Sequence, residues 1–259
     1  KKFNCSKCKK DFVRDKNYID FLTNCELDEI AIEALETWGK DLHREGVENV
    51  SHFKNMKQRI GSDLNLMTGN VAEIGFGTGT DLKQIGNFKE IDHLIGIDIG
   101  ENAHSLAKKL RIYPKIYIIR ADAQSLPLGD DQFDFIYSYG VIHHTKYPLK
   151  TLKECRRILK KDGLIYLYVY SSHSQNIIKR LGVISEHFIM QMLILVPRKF
   201  RVLFCFIITP IIWIIFTLPA RIIKSLGMIN TSKTIPFNWG KGPFSILPDI
   251  KDRLLAPIN

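Results

Sequence analysis

A chain of 259 residues with 45% hydrophobic and 25% charged content is long enough for one substantial core with an appendage, which excludes a disordered or fibrous polypeptide. Its net charge of +10 directs it toward anionic partners: nucleic acid, acidic substrates or the headgroups of an anionic membrane. Five cysteines, an odd number without framework spacing, exclude a disulfide-built scaffold and fit a reducing, cytoplasmic compartment.

The opening KKFNCSKCKK has neither an initiating methionine nor the apolar core of a leader, so the sequence is expected to begin part-way through a longer protein. Within it, Cys5 and Cys8 have the spacing of one zinc knuckle, whereas a tetrahedral zinc site takes two. Cys25 lies too far along to be a comfortable third ligand. Residues 1–24 therefore read as a partial zinc-ribbon-like knuckle. Residues 25–69 read as a helical extension, with Leu27, Ile30, Ala31, Ala34, Leu35 and Trp38 at helical spacing.

From residue 70 the pattern changes. Short β-branched and aromatic runs, NVAEIG, HLIGIDI, KIYIIRAD, FDFIYSYG and GLIYLYVY, alternate with amphipathic stretches. ENAHSLAKKL presents Ala103, Leu106, Ala107 and Leu110 on one face. PLKTLKECRRILKKDG starts at Pro148, presents Leu149, Leu152, Cys155 and Ile158, and is expected to end at Gly163. Strands alternating with amphipathic helices dictate a parallel sheet with right-handed crossovers. The fold class is α/β, a Rossmann-like doubly wound parallel sheet with helices on both faces, over residues 70–172.

The first of these strands runs into VAEIGFGTGTDL, where Gly75, Gly77 and Gly79 alternate after the carboxylate of Glu73. Ligands of open parallel sheets bind beyond the carboxyl ends of the strands. A loop without Cβ atoms lets a ligand reach the backbone, and that is the expected purpose of the three glycines. A dinucleotide fingerprint would need glycine where Thr80 stands, and Glu73 would repel a pyrophosphate. The same carboxylate suits a ligand carrying an ammonium group and a sulfonium centre.

This E-x-G-x-G-x-G pattern resembles the cofactor loop of class I S-adenosylmethionine-dependent methyltransferases, and later segments follow in that family's order. Asp98 in LIGIDIG, Asp122-Ala123 in IIRADAQSLPL, then FDFIYSYGVIHHT and LKECRRILKKDGLIYLYVY are similar to its ubiquinone/menaquinone-biosynthesis-like branch. Lys161-Asp162-Gly163 stands for that branch's lysine-proline-glycine-glycine turn. The resemblance covers residues 70–172 closely. It implies that S-adenosylmethionine is held by Glu73, Gly75, Gly77, Gly79, Asp98, Ile99, Asp122, Ala123 and Ser138. Asp98 would take the ribose hydroxyls and Asp122 the adenine amino group, while Ala123 would offer its backbone N–H to the ring. Tyr139, His143 and His144, at the exit of the fourth strand, are the candidate catalytic residues. A base is needed only where the acceptor must lose a proton, and the histidines serve equally well as substrate clamps or helix-start residues. SYGV stands where base-amine methylases carry Asn/Asp-Pro-Pro-Tyr/Phe, which argues against that class. Similarity to methyltransferases preceded by a two-knuckle ribbon implies zinc at Cys5 and Cys8 in the intact protein.

Residues 173–259 form an apolar helical region. VLFCFIITPIIWIIFTLPA, residues 202–220, is long enough to cross a bilayer, but Pro197, Pro210 and Pro219 are expected to break it into short pieces. Arg198, Lys199, Arg201, Arg221 and Lys224 flank both ends and not one side. The expectation is helices in the membrane interface or a helical pair that dips in and returns, with a buried lid over the acceptor site as the alternative. PDIKDRLLAPIN resembles the stretch before the family's last helix and strand pair, which are expected to be missing. These readings converge on a peripheral membrane enzyme at the inner face, methylating a hydrophobic or lipid-linked acceptor. The alternatives are an RNA methyltransferase using the basic charge and zinc knuckle, and an NAD(P)-dependent oxidoreductase.

Overall fold

The computed structural model describes residues 2–4, 11–23, 25, 27–37, 52–169, 177–193, 195–235, 242 and 246–255. Three short strands, β1 (Lys2–Asn4), β2 (Asp11–Asp15) and β3 (Tyr18–Asp20), form an antiparallel meander. Two helices follow. In α1 (Glu29–Ala34) the Asp28 carboxylate caps the start, accepting the Ala31 N–H at 2.8 Å. The second is α2 (Phe53–Ile60). The alternating part is β4 (Gly69–Ile74), α3 (Thr80–Ile85), β5 (Ile91–Asp98), α4 (Ala103–Lys109), β6 (Ile116–Arg120), β7 (Phe133–Tyr139), α5 (Pro148–Ile158) and β8 (Leu159–Tyr168).

All eight strands described join one sheet in the order β1-β2-β3-β6-β5-β4-β7-β8, parallel from β3 to β8. From β4 the chain works outward through β5 and β6, then returns to place β7 and β8 on the other side. That reversal makes the β4/β7 boundary the switch point, where ligands of open α/β sheets bind. Along β4, Val71 enters the core beneath α2, α3 and α4, whereas Ala72 and Ile74 enter the core beneath α5. Both faces are covered, so the strand reads as a nearly unbroken apolar run.

The N-terminal meander continues this sheet. β3 pairs with β6 in parallel, Ile118 donates its N–H to the Asn17 carbonyl at 2.8 Å, and Arg120 reaches Asp20 at 3.3 Å. Sequence periodicity did not place these strands in the main sheet, because three-residue strands are too short to show a period. Cys5 and Cys8 fall between β1 and β2, outside the described residues.

Two further expectations change in α5. The helix ends at Ile158, not at Gly163, and the chain enters β8 directly. Asp131 and Gln132 donate their N–H groups to the Arg157 and Ile158 carbonyls, so the segment before β7 takes up the helix's last acceptors. Pairing then jumps from Phe133↔Leu159 to Phe135↔Leu164. Gly163 serves that irregularity, since a Cβ there would lie 2.7 Å from Leu159 Cδ1. Leu149 is 74% exposed because the buried face runs through Thr151, Cys155 and Ile158, on the other side of the helix.

A second compact unit begins after Val169. It contains α6 (Ile177–Leu193), α7 (Arg198–Ile212), a π-helical turn (Trp213–Thr217), α8 (Leu218–Ser225), α9 (Ile229–Thr234) and α10 (Leu247–Leu255). Pro197 stands at the start of a helix as expected, but Pro210 and Pro219 do not break the region: Arg198–Ser225 is one helix of 28 residues. Two local adjustments permit it. The Thr209 hydroxyl donates to the Cys205 carbonyl at 2.5 Å beside Pro210, and the widened π turn delivers Pro219 to the first turn of α8, where its lack of N–H is tolerated.

The docking of β3 is testable. Tyr18 is buried and its hydroxyl donates to Asp20 at 3.2 Å. Tyr18→Ala is expected to cost about 3 kcal/mol in urea unfolding; an unchanged midpoint would mean that the meander does not belong to the folded core.

Candidate active site

The predicted residues gather where β4, β5, β6 and β7 end. Gly75, Gly77 and Gly79 have φ of 80°, 53° and 73°, so the chain leaving β4 is left-handed at every second residue. The loop is held from below and from the side. Gly75 donates its N–H to the Ile97 carbonyl at 2.7 Å, Gly79 to Phe76 at 2.8 Å, and Gly77 to Asp98 Oδ2 at 2.8 Å. The Asn102 side-chain amide donates to the Gly77 carbonyl at 2.9 Å, and Asp98 Oδ1 accepts the Gly100 N–H at 2.7 Å.

These glycines meet a further need beside the one expected. A Cβ on Gly75 would collide with the side chain of Val141, and one on Gly79 would lie 2.6 Å from Leu106 Cδ2. Two of the three missing side chains therefore make room for the protein's own packing, over and above any ligand. Asp98 likewise has a structural task, with each oxygen accepting one backbone N–H; the remaining lone pairs stay open to a ligand.

Glu73 is the unusual group. It sits one residue before the end of β4, is 3% exposed, and its Oε2 has no hydrogen-bond partner among the described residues. Burial first, then the neighbouring Asp81 and Asp98, hold its carboxyl well above the ordinary range. Asp81, in the first turn of α3, is itself buried. Its Oδ1 accepts the Phe53 N–H at 3.1 Å and its Oδ2 accepts the Tyr137 hydroxyl at 2.9 Å. Burial, Asp81 and Glu73 in turn keep the Tyr137 hydroxyl in its neutral, donating form. Glu73, Asp81 and Asp98 thus make an acidic nest in an apolar surround, suited to a cation. Sequence reasoning missed Asp81 and Tyr137: the first was hidden in the glycine motif, the second among strand aromatics.

On the next strand end, Ala121 donates its N–H to the Asp98 carbonyl at 3.0 Å, which brings Asp122 alongside. Asp122 Oδ1 accepts the Gln124 N–H at 2.8 Å, and the Ile99 carbonyl accepts from Arg120 Nε at 3.1 Å. Gln124, also unforeseen, is buried and ties three segments together. Its amide donates to Asp28 at 3.2 Å and its oxygen accepts the Tyr147 N–H at 2.9 Å. Ala123 packs against the core beneath α5. Ser138 faces inward, its hydroxyl donating to the Ile74 carbonyl at 3.1 Å and locking β7 to β4.

The candidate catalytic side chains lie at the exit of β7. The Tyr139 ring stacks on Tyr168 at 4.0 Å and on His52 at 4.2 Å. His143 and His144, in a short turn after β7, have ring centroids 4.0 Å apart. Contact between Val141 and Gly75 brings this exit segment against the glycine loop. Among the described residues no cluster of three or more His, Cys, Asp or Glu could hold a metal, and Cys5 and Cys8 lie outside them.

Residues 72–167, which contain Glu73, Asp81, Asp98, Asp122, Ser138, Tyr139, His143 and His144, match the family model described as a methyltransferase domain. Over this segment the chain is similar to methyltransferase domains. The chain is 27% identical over 157 residues to a demethylmenaquinone methyltransferase of Staphylococcus saprophyticus, covering 59% of this chain and 66% of that protein. It is 32% identical over 109 residues to a human protein named probable tRNA methyltransferase 9B, covering 41% of this chain and 22% of that one. The chain thus spans less than two thirds of the length of either relative. A solved structure, the YcgJ protein of Bacillus subtilis, is 24% identical with a TM-score of 0.40, covering 45% of this chain and 50% of that one. The buried acidic nest, including the Glu73 oxygen that lacks a partner, fits the cationic cofactor of a methyltransferase domain.

The burial of Glu73 has a pH signature. A carboxyl whose folded pKa is raised costs nothing below its unfolded pKa, and stability is lost as the pH rises through the folded value. Ligand-free Glu73→Gln is therefore expected to melt near the parent temperature in mild acid and several degrees above it at pH 8 to 9. Parallel melting curves at every pH would show that the carboxyl is not buried as described.

Proposed function

We propose that this chain is an S-adenosylmethionine-dependent methyltransferase that transfers a methyl group to a hydrophobic or lipid-linked acceptor, such as a quinone precursor or a lipid-linked glycan, at the inner surface of a membrane. One observation carries the cofactor assignment: Glu73, deeply buried with an unpartnered oxygen, lies beside Asp81 and Asp98 at the switch point of a parallel sheet. When bound, S-adenosylmethionine supplies a methyl group on a sulfonium, ready for in-line displacement.

The chain's own residues do the rest. Glu73 attracts the ammonium and sulfonium charge. Asp98, already fixed by Gly77 and Gly100, uses its remaining lone pairs for the ribose hydroxyls. Asp122 accepts from the adenine amino group and Ala123 donates its backbone N–H to the ring, with Ile99 beside them. Ser138 holds the floor rigid. Tyr139, His143 and His144 border the acceptor, and a histidine removes a proton where the acceptor is a phenol or an acidic carbon. Cys5 and Cys8 would supply half of a zinc site in the intact protein.

The acceptor class is supported by the relative named for demethylmenaquinone and by the exposed apolar residues of the second unit. A second reading, RNA as the acceptor, is favoured by the net charge of +10 and by the relative named for tRNA. It ranks lower because the surface after Val169 is apolar, whereas a phosphate backbone calls for basic surface. A nicotinamide-dependent oxidoreductase is disfavoured by Thr80 in the place of the third glycine and by the acidic nest.

Titration calorimetry with S-adenosylhomocysteine tests the reading. The full chain is expected to bind, and Asp98→Asn, folded by circular dichroism, to bind at least about tenfold more weakly, or ~1.4 kcal/mol. Absence of binding by the parent, or equal affinity of the variant, rejects it.

A further inference from the structure

The helix from Arg198 to Ser225 has 28 residues and is about 42 Å long at 1.5 Å per residue. No charged side chain interrupts it between Arg201 and Arg221. One flank, Cys205 and Thr209, is buried, and Cys205 shares a core with Ile246, Ile250, Leu254 and Leu255 of the α10 segment. The opposite flank, Leu203, Ile207, Ile211, Ile214 and Ile215, is exposed. α6 repeats the pattern. Ile189 and Leu193 pack into that same core, while Ile177, Leu181, Ile184, Phe188 and Met192 recur every three or four residues as an exposed stripe. Apolar surface on this scale marks a docking face.

We propose that the second unit is a membrane anchor lying in the plane of the bilayer. The outer faces of α6 and of the α7–α8 helix enter the acyl chains, and Lys199, Arg221 and Lys224 meet lipid phosphates at the two ends. The proposal rests on the membrane-surface reading above and supplies its physical partner, an anionic lipid surface.

Length alone would also permit crossing, since Arg201 and Arg221 are separated by about 30 Å of helix, the thickness of a hydrocarbon core. The packing of α10 favours lying flat. That helix contains Asp249, Lys251, Asp252 and Arg253, and its core is shared with Val202, Ile208, Ile212 and Trp213 along half of the apolar run. Lys251 is 8% exposed, with its ammonium 5.1 Å from the centre of the Phe206 ring. A crossing helix would drag this ionisable segment into hydrocarbon, where charged groups are strongly disfavoured. Lying flat keeps α10 on the water side and the exposed flank in lipid. Basic residues at both ends suit this pose as well, because both ends then meet the same leaflet.

The test uses the full chain and vesicles of phosphatidylcholine with or without phosphatidylglycerol. Flotation is expected with the mixed vesicles, several-fold weaker binding with neutral ones, and a loss of about tenfold or more for Ile211→Asp. Fluorophores on single cysteines at Leu203→Cys, Ile211→Cys and Ile222→Cys, with native cysteines replaced by alanine, should report one shallow depth. A deep centre between two shallow ends would establish crossing and overturn the proposal. So would the absence of vesicle binding, including the case where the face instead pairs two copies of the chain, seen as concentration-dependent dimers abolished by Ile211→Asp. Calorimetry with S-adenosylhomocysteine on the same samples separates the two readings: vesicle binding without cofactor binding would sink the enzyme assignment alone, and cofactor binding without vesicle binding would sink the anchor alone.

Discussion

Glu73 ends inside a parallel sheet with one oxygen unpartnered and two further carboxylates for neighbours. Burying negative charge without a counter-charge is costly, and adding like charges makes it more so. A fold bears that cost where a cationic ligand relieves it. The rest of the first unit can be read from this requirement. The strand order places the ends of β4 and β7 at the switch point, the left-handed loop carries Asp81 back over Glu73, and Asp98 comes in from β5 to pin that loop. α2 contributes as well, since its Phe53 N–H and the Tyr137 hydroxyl hold the Asp81 carboxylate in place.

Much of this was legible in the sequence because it is local. Five β-branched runs, each bounded by polar or helical sequence, have the short period of buried strands, and all five are observed as strands of one sheet. Glu73, the glycines and Asp98 stood out because residue types and spacing already express their chemistry. What escaped detection depends on contacts between distant segments. Asp81 and Tyr137 meet across 56 residues, and Gln124 reaches Asp28 across 96. No periodicity announces such pairs. The purpose of Gly75 and Gly79 was hidden for the same reason, since Val141 and Leu106 are the side chains that exclude a Cβ there.

Local rules also failed where the backbone found a compensating device. Pro210 and Pro219 ought to interrupt a helix, yet a threonine hydroxyl and a π turn let it continue. Gly163 looked like a helix stop, but the helix had already surrendered its last carbonyls to the segment before β7. Leu149 fitted an amphipathic face on spacing alone and is nevertheless exposed, because Thr151 and Ile158 define the buried side. The two units divide the chemistry accordingly. Polar groups of high cost are concentrated at the rim of the first, and apolar surface of high cost is concentrated on the second.

The central claim is that a cation completes the acidic nest, and proton linkage examines it most directly. The enthalpy of S-adenosylmethionine binding, measured at one near-neutral pH in phosphate and in Tris, gives the protons exchanged on binding. Burial raises the Glu73 pKa, so an arriving ammonium or sulfonium group lowers it again and shifts the carboxyl toward proton release. The account predicts more proton release, or less uptake, by the parent chain than by Glu73→Gln. Equal proton counts in the two proteins, or none in either, would contradict it.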